Sequence, residues 1–122
     1  MVESPYVVNS SNVILNLSLA VVEGNVDVIF KRGIFLPELE FWMDSLRKQE
    51  YCLISHGHSD HTARHTHPIL SSNTCLILGD YLRRSDPIVL EYREEFETPE
   101  YKLTLYPAGH CLGSAQALIE SK

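Results

Sequence analysis

The sequence predicts a layered α/β domain, and three observations carry that expectation. Short apolar runs alternate with polar, helix-like segments along the chain. The chain has 122 residues, enough for one hydrophobic core and too few for two. Its apolar content of 44% and charged content of 21% are those of an ordinary globular protein rather than a disordered one. A division follows in which residues 1–25 form a poorly assigned leading segment and 26–122 form the body of the domain.

Within the leading segment, VILNLSLAVV reads equally well as a strand or as a short buried helix, because periodicity alone does not separate the two. VDVIF, ended by Lys31-Arg32-Gly33, reads as a strand running into a turn. In LPELEFWMDSLRKQE, the alternation of Leu39, Phe41 and Met43 favours an extended piece through Asp44, followed by a helical turn at SLRKQE. YCLIS is a nearly continuous apolar run, as a strand covered on both faces requires. HTARHTH reads as a short helix closed by Pro68, NTCLILG as a buried strand and DYLRRS as a helical turn limited by Pro87. IVLEY reads as a strand and REEFETPE as a solvated acidic loop. KLTLYP alternates as a half-buried strand does, and AQALIE is the next strand.

Bulk charge and cysteine usage narrow the function. A net charge of −6 argues against a broad basic surface that holds nucleic acid by phosphate neutralisation alone, although bound metal cations can supply positive charge at a scissile phosphate. Three cysteines, Cys52, Cys75 and Cys111, show no CxxC spacing, so a reduced, cytoplasmic setting is the expectation. The patch from Val13 to Val22 lacks a basic leader and is broken by Asn16 and Ser18, which disfavours a signal peptide. No stretch is long enough to span a membrane, and none is expected to bind one.

The chemistry is concentrated in ISHGHSDHTARH. An extended strand that ends at Ser55 can aim His56 and His58 at one ion, because residues two apart face the same side. A following turn brings Asp60 and His61 towards a second position. Imidazole and carboxylate suit zinc or a similar divalent ion, and Gly57 and Ser59 keep the loop slim. A surface loop that is histidine-rich by chance is the bland alternative, and the spacing makes it a poor one. His65 follows His61 by four residues and is either a supporting group or an ordinary helix histidine; His67 carries no signal. Cys52 and Cys75 read as core, and Cys111 as a neighbour of a ligand rather than a ligand. Arg83 and Arg84 read equally as solvated residues and as phosphate contacts.

HGHSDH resembles the HxHxDH signature of the metallo-β-lactamase superfamily, and PAGHCLGSAQ resembles the third motif of its nucleic-acid-processing branch, the β-CASP and RNA 3′-end processing exonucleases. That resemblance implies a partial αββα sandwich, roughly its N-terminal half. It implies two zinc ions in a complete site, the first held by His56, His58 and His110 and the second by Asp60 and His61. Asp60 would also orient the attacking water. Asp44 takes the place of the first-motif aspartate, with the role of orienting the ligand loop. Gly113 and Ser114 are candidates for contacting a substrate phosphate, though a tight turn explains them as well. The implied activity is phosphodiester hydrolysis on single-stranded RNA or DNA. Hydrolysis of a small ester or thioester, or metal binding without catalysis, are the alternatives. The family's fourth-motif aspartate, its cap and its late histidine have no counterpart after Ala115. The resemblance therefore implies an exposed apolar sheet face, and with it self-association or a missing C-terminal half.

Overall fold

The computed structural model describes residues 6–8, 12–15, 20–23, 27–57, 62–109 and 112–122; for the strands before Asp27 the description is of the backbone. Among the described residues the fold is α+β, with two sheets and one short α-helix. The first sheet contains β1 (Tyr6–Val8), β2 (Asn12–Leu15), β3 (Ala20–Glu23), β10 (Glu95–Glu97), β11 (Tyr101–Pro107) and β12 (Ala115–Ser121), in the order β1-β2-β3-β12-β11-β10. The second contains β4 (Ile29–Phe30), β5 (Ile34–Leu36), β6 (Phe41–Met43), β7 (Tyr51–Leu53), β8 (His67–Ser71) and β9 (Ile88–Leu90), hydrogen-bonded in sequence order. VILNLSLAVV thus resolves into strands, and its second strand, β3, pairs in parallel with β12.

The alternation in KLTLYP and AQALIE sends Leu103, Leu105, Ala117 and Ile119 to one face of the first sheet. Ile34, Leu36, Phe41, Met43, Leu53, Ile69 and Leu90 face them from the second sheet, and together they form one buried cluster. Fully burying each Leu or Ile stabilises the fold by roughly 1.5–3 kcal/mol. The face of the second sheet that carries these residues is therefore covered by strands of the same chain. Among the described residues, Leu76 (78%) and Leu112 (68%) are the most exposed large apolar side chains.

The other face of the second sheet is covered by α1 (Ser72–Leu78) and the 3-10 turn Gly79–Leu82, packed over Ile54, Leu70 and Leu82. The helix corrects the strand expected at NTCLILG. Ser71 caps it by accepting from Thr74 N–H at 3.2 Å, and parallel strands β8 and β9 need a crossover that a hairpin cannot supply. The helix expected at HTARHTH is also absent from its described part: residues 62–66 are irregular, and His67–Ser71 is a central strand containing Pro68. His67 N donates to Glu50 O, so the amide that Pro68 lacks would have faced β9, whose ladder begins only at Ile69. No helical turn forms at SLRKQE, because its N–H groups find other partners. Ser45 N donates to Cys52 Sγ, Leu46 N to Arg32 O and Gln49 N to His65 Nδ1. REEFETPE contains the edge strand β10, which Lys102 ties to its sheet through Glu95 (3.0 Å) and Glu120 (3.1 Å). Those two carboxylates push the Lys102 pKa upward. No helix among the described residues is long and apolar enough to cross a membrane.

Candidate metal centre

The candidate site begins where β7 ends. Leu53 turns into the inter-sheet core, Ile54 turns towards the helix, and Ser55 and His56 follow at the sheet's end, all buried. On the neighbouring parallel strand β6, Asp44 follows Met43 with φ +53°, in the left-handed region that few non-glycine residues occupy. Its N–H donates to Leu53 O at 2.8 Å, which extends the ladder to the strand end.

In that conformation the Asp44 carboxylate takes two hydrogen bonds from one residue. Oδ1 accepts from Ser55 N at 2.8 Å and Oδ2 accepts from Ser55 Oγ at 2.6 Å. Ser55 Oγ also lies 2.8 Å from His56 Nδ1. A serine hydroxyl has a single proton, and a carboxylate can only accept, so that proton belongs to the Asp44 contact. His56 Nδ1 must then be the donor to Ser55 Oγ. This places a hydrogen on Nδ1, and in the neutral ring that is the tautomer in which a histidine ligates a metal through Nε2. Asp44, Ser55 and His56 are thus joined in one hydrogen-bonded relay, and an imidazole such as that of His56 is a donor of the type zinc or a similar ion takes.

The second predicted motif reaches the same place. Ala115 N donates to Ser55 O at 2.8 Å, and Ala108 N donates to Ser114 O at 3.1 Å. Both flanks of the PAGHCLGS turn are therefore tied down, one of them on the residue that precedes His56. Gly113 O accepts from Ser71 Oγ (2.6 Å) and Thr74 Oγ1 (2.8 Å), which binds the turn to the start of α1. Only glycine fits there: φ is +82°, and a Cβ would stand 2.6 Å from Thr74 N. Gly113 and Ser114 are both buried, and packing accounts for them.

His58, Asp60, His61 and His110 lie outside the described residues, as does Cys111. Among the described residues, no three His, Cys, Asp or Glu side chains are grouped to hold a metal ion. His65 is only 1% exposed and holds the loop that follows Asp44: its Nδ1 accepts from Gln49 N at 3.0 Å. Its Nε2 has no hydrogen-bond partner. Burial pushes its pKa below the usual 6.5, and the charge of Asp44 and the Ser45 backbone oppose that shift only in part. His67 instead packs its ring against Tyr51, with Nδ1 beside Asp86 O. Cys52 is buried, and burial pushes its thiol up to about 12. Cys75 lies on the helix rather than on a strand and is half-buried. Arg83 and Arg84 are exposed. Sequence reasoning did not single out Ser55. Its signal is a hydroxyl that closes an apolar strand immediately before a histidine.

No protein-family model matches the chain. Over 96 residues, 77% of its length, it is 38% identical to a protein of Opitutus terrae named "Probable DNA ligase". The chain spans about 9% of the length of that curated relative.

Proposed function

We propose that this chain carries the first half of a metallo-β-lactamase-type site that hydrolyses phosphodiester bonds in single-stranded DNA, trimming ends before they are joined. The observation that carries the reading is the Asp44–Ser55–His56 relay at the mouth of HGHSDH, which sets His56 in its metal-ligating tautomer. Resemblance to a probable DNA ligase supports a nucleic-acid substrate, and DNA ahead of RNA. Ligation itself is not carried over, because the likeness spans so little of that relative.

In this reading His56, His58 and His110 would hold one zinc ion, and Asp60 and His61 would contribute to a second. Bound zinc supplies Lewis acidity, lowering the pKa of water and offsetting charge on the phosphate oxygens. Asp60 orients the attacking water, which adds to phosphorus as the P–O bond to the departing nucleoside breaks and that oxygen takes up a proton. Asp44 and Ser55 keep the His56 ring from rotating, and His65 keeps the loop behind Asp44 in place. Strands β1, β2 and β3 add to the first sheet of this domain, and a cytoplasmic setting suits the reduced thiols.

Zinc added to the metal-free chain, with bound metal counted and labelled single-stranded DNA and RNA supplied, tests the proposal. Metal uptake with cleavage, abolished by His58→Ala or His110→Ala, is the expected result. Uptake of one equivalent with no cleavage would leave a metal-binding segment, and absence of uptake would overturn the metal site.

A further inference from the structure

The end of the second sheet from which HGHSDH departs also carries concentrated positive charge. β4, β5 and β6 run antiparallel in turn, and β6 and β7 run parallel. The turn at 31–33, the loop after Met43 and the segment after Leu53 therefore leave the sheet at one end, in that spatial order. With strands about 4.8 Å apart, the turn lies roughly 10–14 Å from the segment that leads to His56.

The turn and the loop are joined. Leu46 N donates to Arg32 O at 2.7 Å, and Gly33, at φ +143°, has no room for a Cβ because Ser45 Cα would stand 2.5 Å away. Ser45 Oγ binds both the N–H (3.2 Å) and the carbonyl (2.9 Å) of Arg47. Lys31, Arg32 and Arg47, all exposed, thus line one ridge. Lys48 lies further along the crossover, next to Gln49, whose O accepts from Thr66 N ahead of β8. The three are part of a set of ten Lys and Arg in a chain whose net charge is −6. None of the three forms an ion pair among the described residues, whereas Lys102 and Lys122 do. Of the acids on β5 and β6, Glu38 and Glu40 lie at the opposite end, and Asp44 is buried.

Beside the ridge, alternation along β5 and β6 turns Phe35 and Trp42 away from the inter-sheet core. Their half-buried rings stack with centroids 4.5 Å apart and planes 28° apart, next to Ile29, which is 44% exposed. Unneutralised cations along a path, with an aromatic surface beside them, are the two elements that hold single-stranded nucleic acid.

We infer that this face binds single-stranded DNA, with phosphates on Lys31, Arg32 and Arg47 and a base against Trp42. The bound strand runs towards His56. Its substrate role rests on the hydrolase reading above; the binding itself does not.

Fluorescence anisotropy of a labelled oligothymidylate, measured in EDTA across a salt series, tests the inference without metal or turnover. Each of the three cations changed to Ala should lower the steepness of log affinity against log salt by roughly 0.7. Trp42→Leu should weaken binding about tenfold with that steepness unchanged. Lys102→Ala, at an ion pair on the other sheet, should leave the salt dependence alone, and thermal melts establish that each variant is folded. Unaltered affinity in the charge variants, or no binding by the parent chain, would overturn the inference. So would a Trp42→Leu change in oligomeric state without a change in affinity, which would make the face a self-association surface. Cleavage combined with unaltered charge variants would sink the surface and leave the hydrolase reading standing. Cation-dependent binding without cleavage would sink the hydrolase reading and support the surface.

Discussion

Asp44 and Asn have nearly the same shape, and the relay makes their difference chemical. In Asp44→Asn the side-chain oxygen can still accept from Ser55 N, but the amide nitrogen now donates to Ser55 Oγ. The Ser55 proton is then released towards His56 Nδ1, which reverses the tautomer and places hydrogen on Nε2. The expected outcome is a 10–100-fold loss of zinc affinity by competition titration, with little change in urea midpoint. Asp44→Ala should instead cost about 1–3 kcal/mol of stability, because it strands buried Ser55 donors. His65 gives a pH signature. Its folded pKa is below the unfolded 6.5, so the unfolded chain binds the extra proton and stability falls as pH drops through that value towards the folded pKa. Urea midpoints measured from pH 7 downward should show this loss, and His65→Gln should remove it. The Cys52 thiol, held near 12, should resist alkylation until the chain unfolds, while Cys75 reacts in the native state. Mass-mapped labelling distinguishes the two.

At the level of elements, one junction joins β8, α1 and the segment before β12. Ser71 caps the helix and also bonds Gly113 O, so one hydroxyl serves both elements. Gly113→Ala meets the Thr74 backbone and a left-handed φ together, and should cost more than the roughly 1–2 kcal/mol of the conformation alone. Chemical denaturation reads that cost. The same junction explains a misreading. NTCLILG is apolar throughout, and nothing local separates a buried strand from a helix of which one side is exposed, as Leu76 and Ile77 are. Pro68 reads locally as a stop, whereas the start of a strand tolerates it when the neighbouring ladder begins one residue later.

For the whole molecule, the shared inter-sheet core makes the two sheets a single cooperative unit. Leu105→Ala opens a cavity against side chains of both sheets and should cost about 2–5 kcal/mol. Far-UV circular dichroism and Trp42 fluorescence should still report one coincident unfolding transition, because the strand carrying Trp42 and the strand carrying Leu105 lose the same core.

Local sequence suffices for the period-two strands at KLTLYP and AQALIE, the apolar strand that leads to Ser55 and His56, and the clustering of ligand-type residues after it. Those features are written in local alternation and residue chemistry, which need no distant partner. Tertiary structure alone decided that 72–78 is a helix, that the stretch 44–50 crosses between parallel strands instead of coiling, and that Ser55 links Asp44 to His56. Each depends on a hydrogen-bond partner 10 or more residues away in most instances, such as Asp44 for Ser55 or Gly113 for Ser71. The basic ridge belongs to the same class. Lys31 and Arg47 are far apart along the chain and become neighbours only because two antiparallel pairings and one parallel pairing return their loops to one end of a sheet.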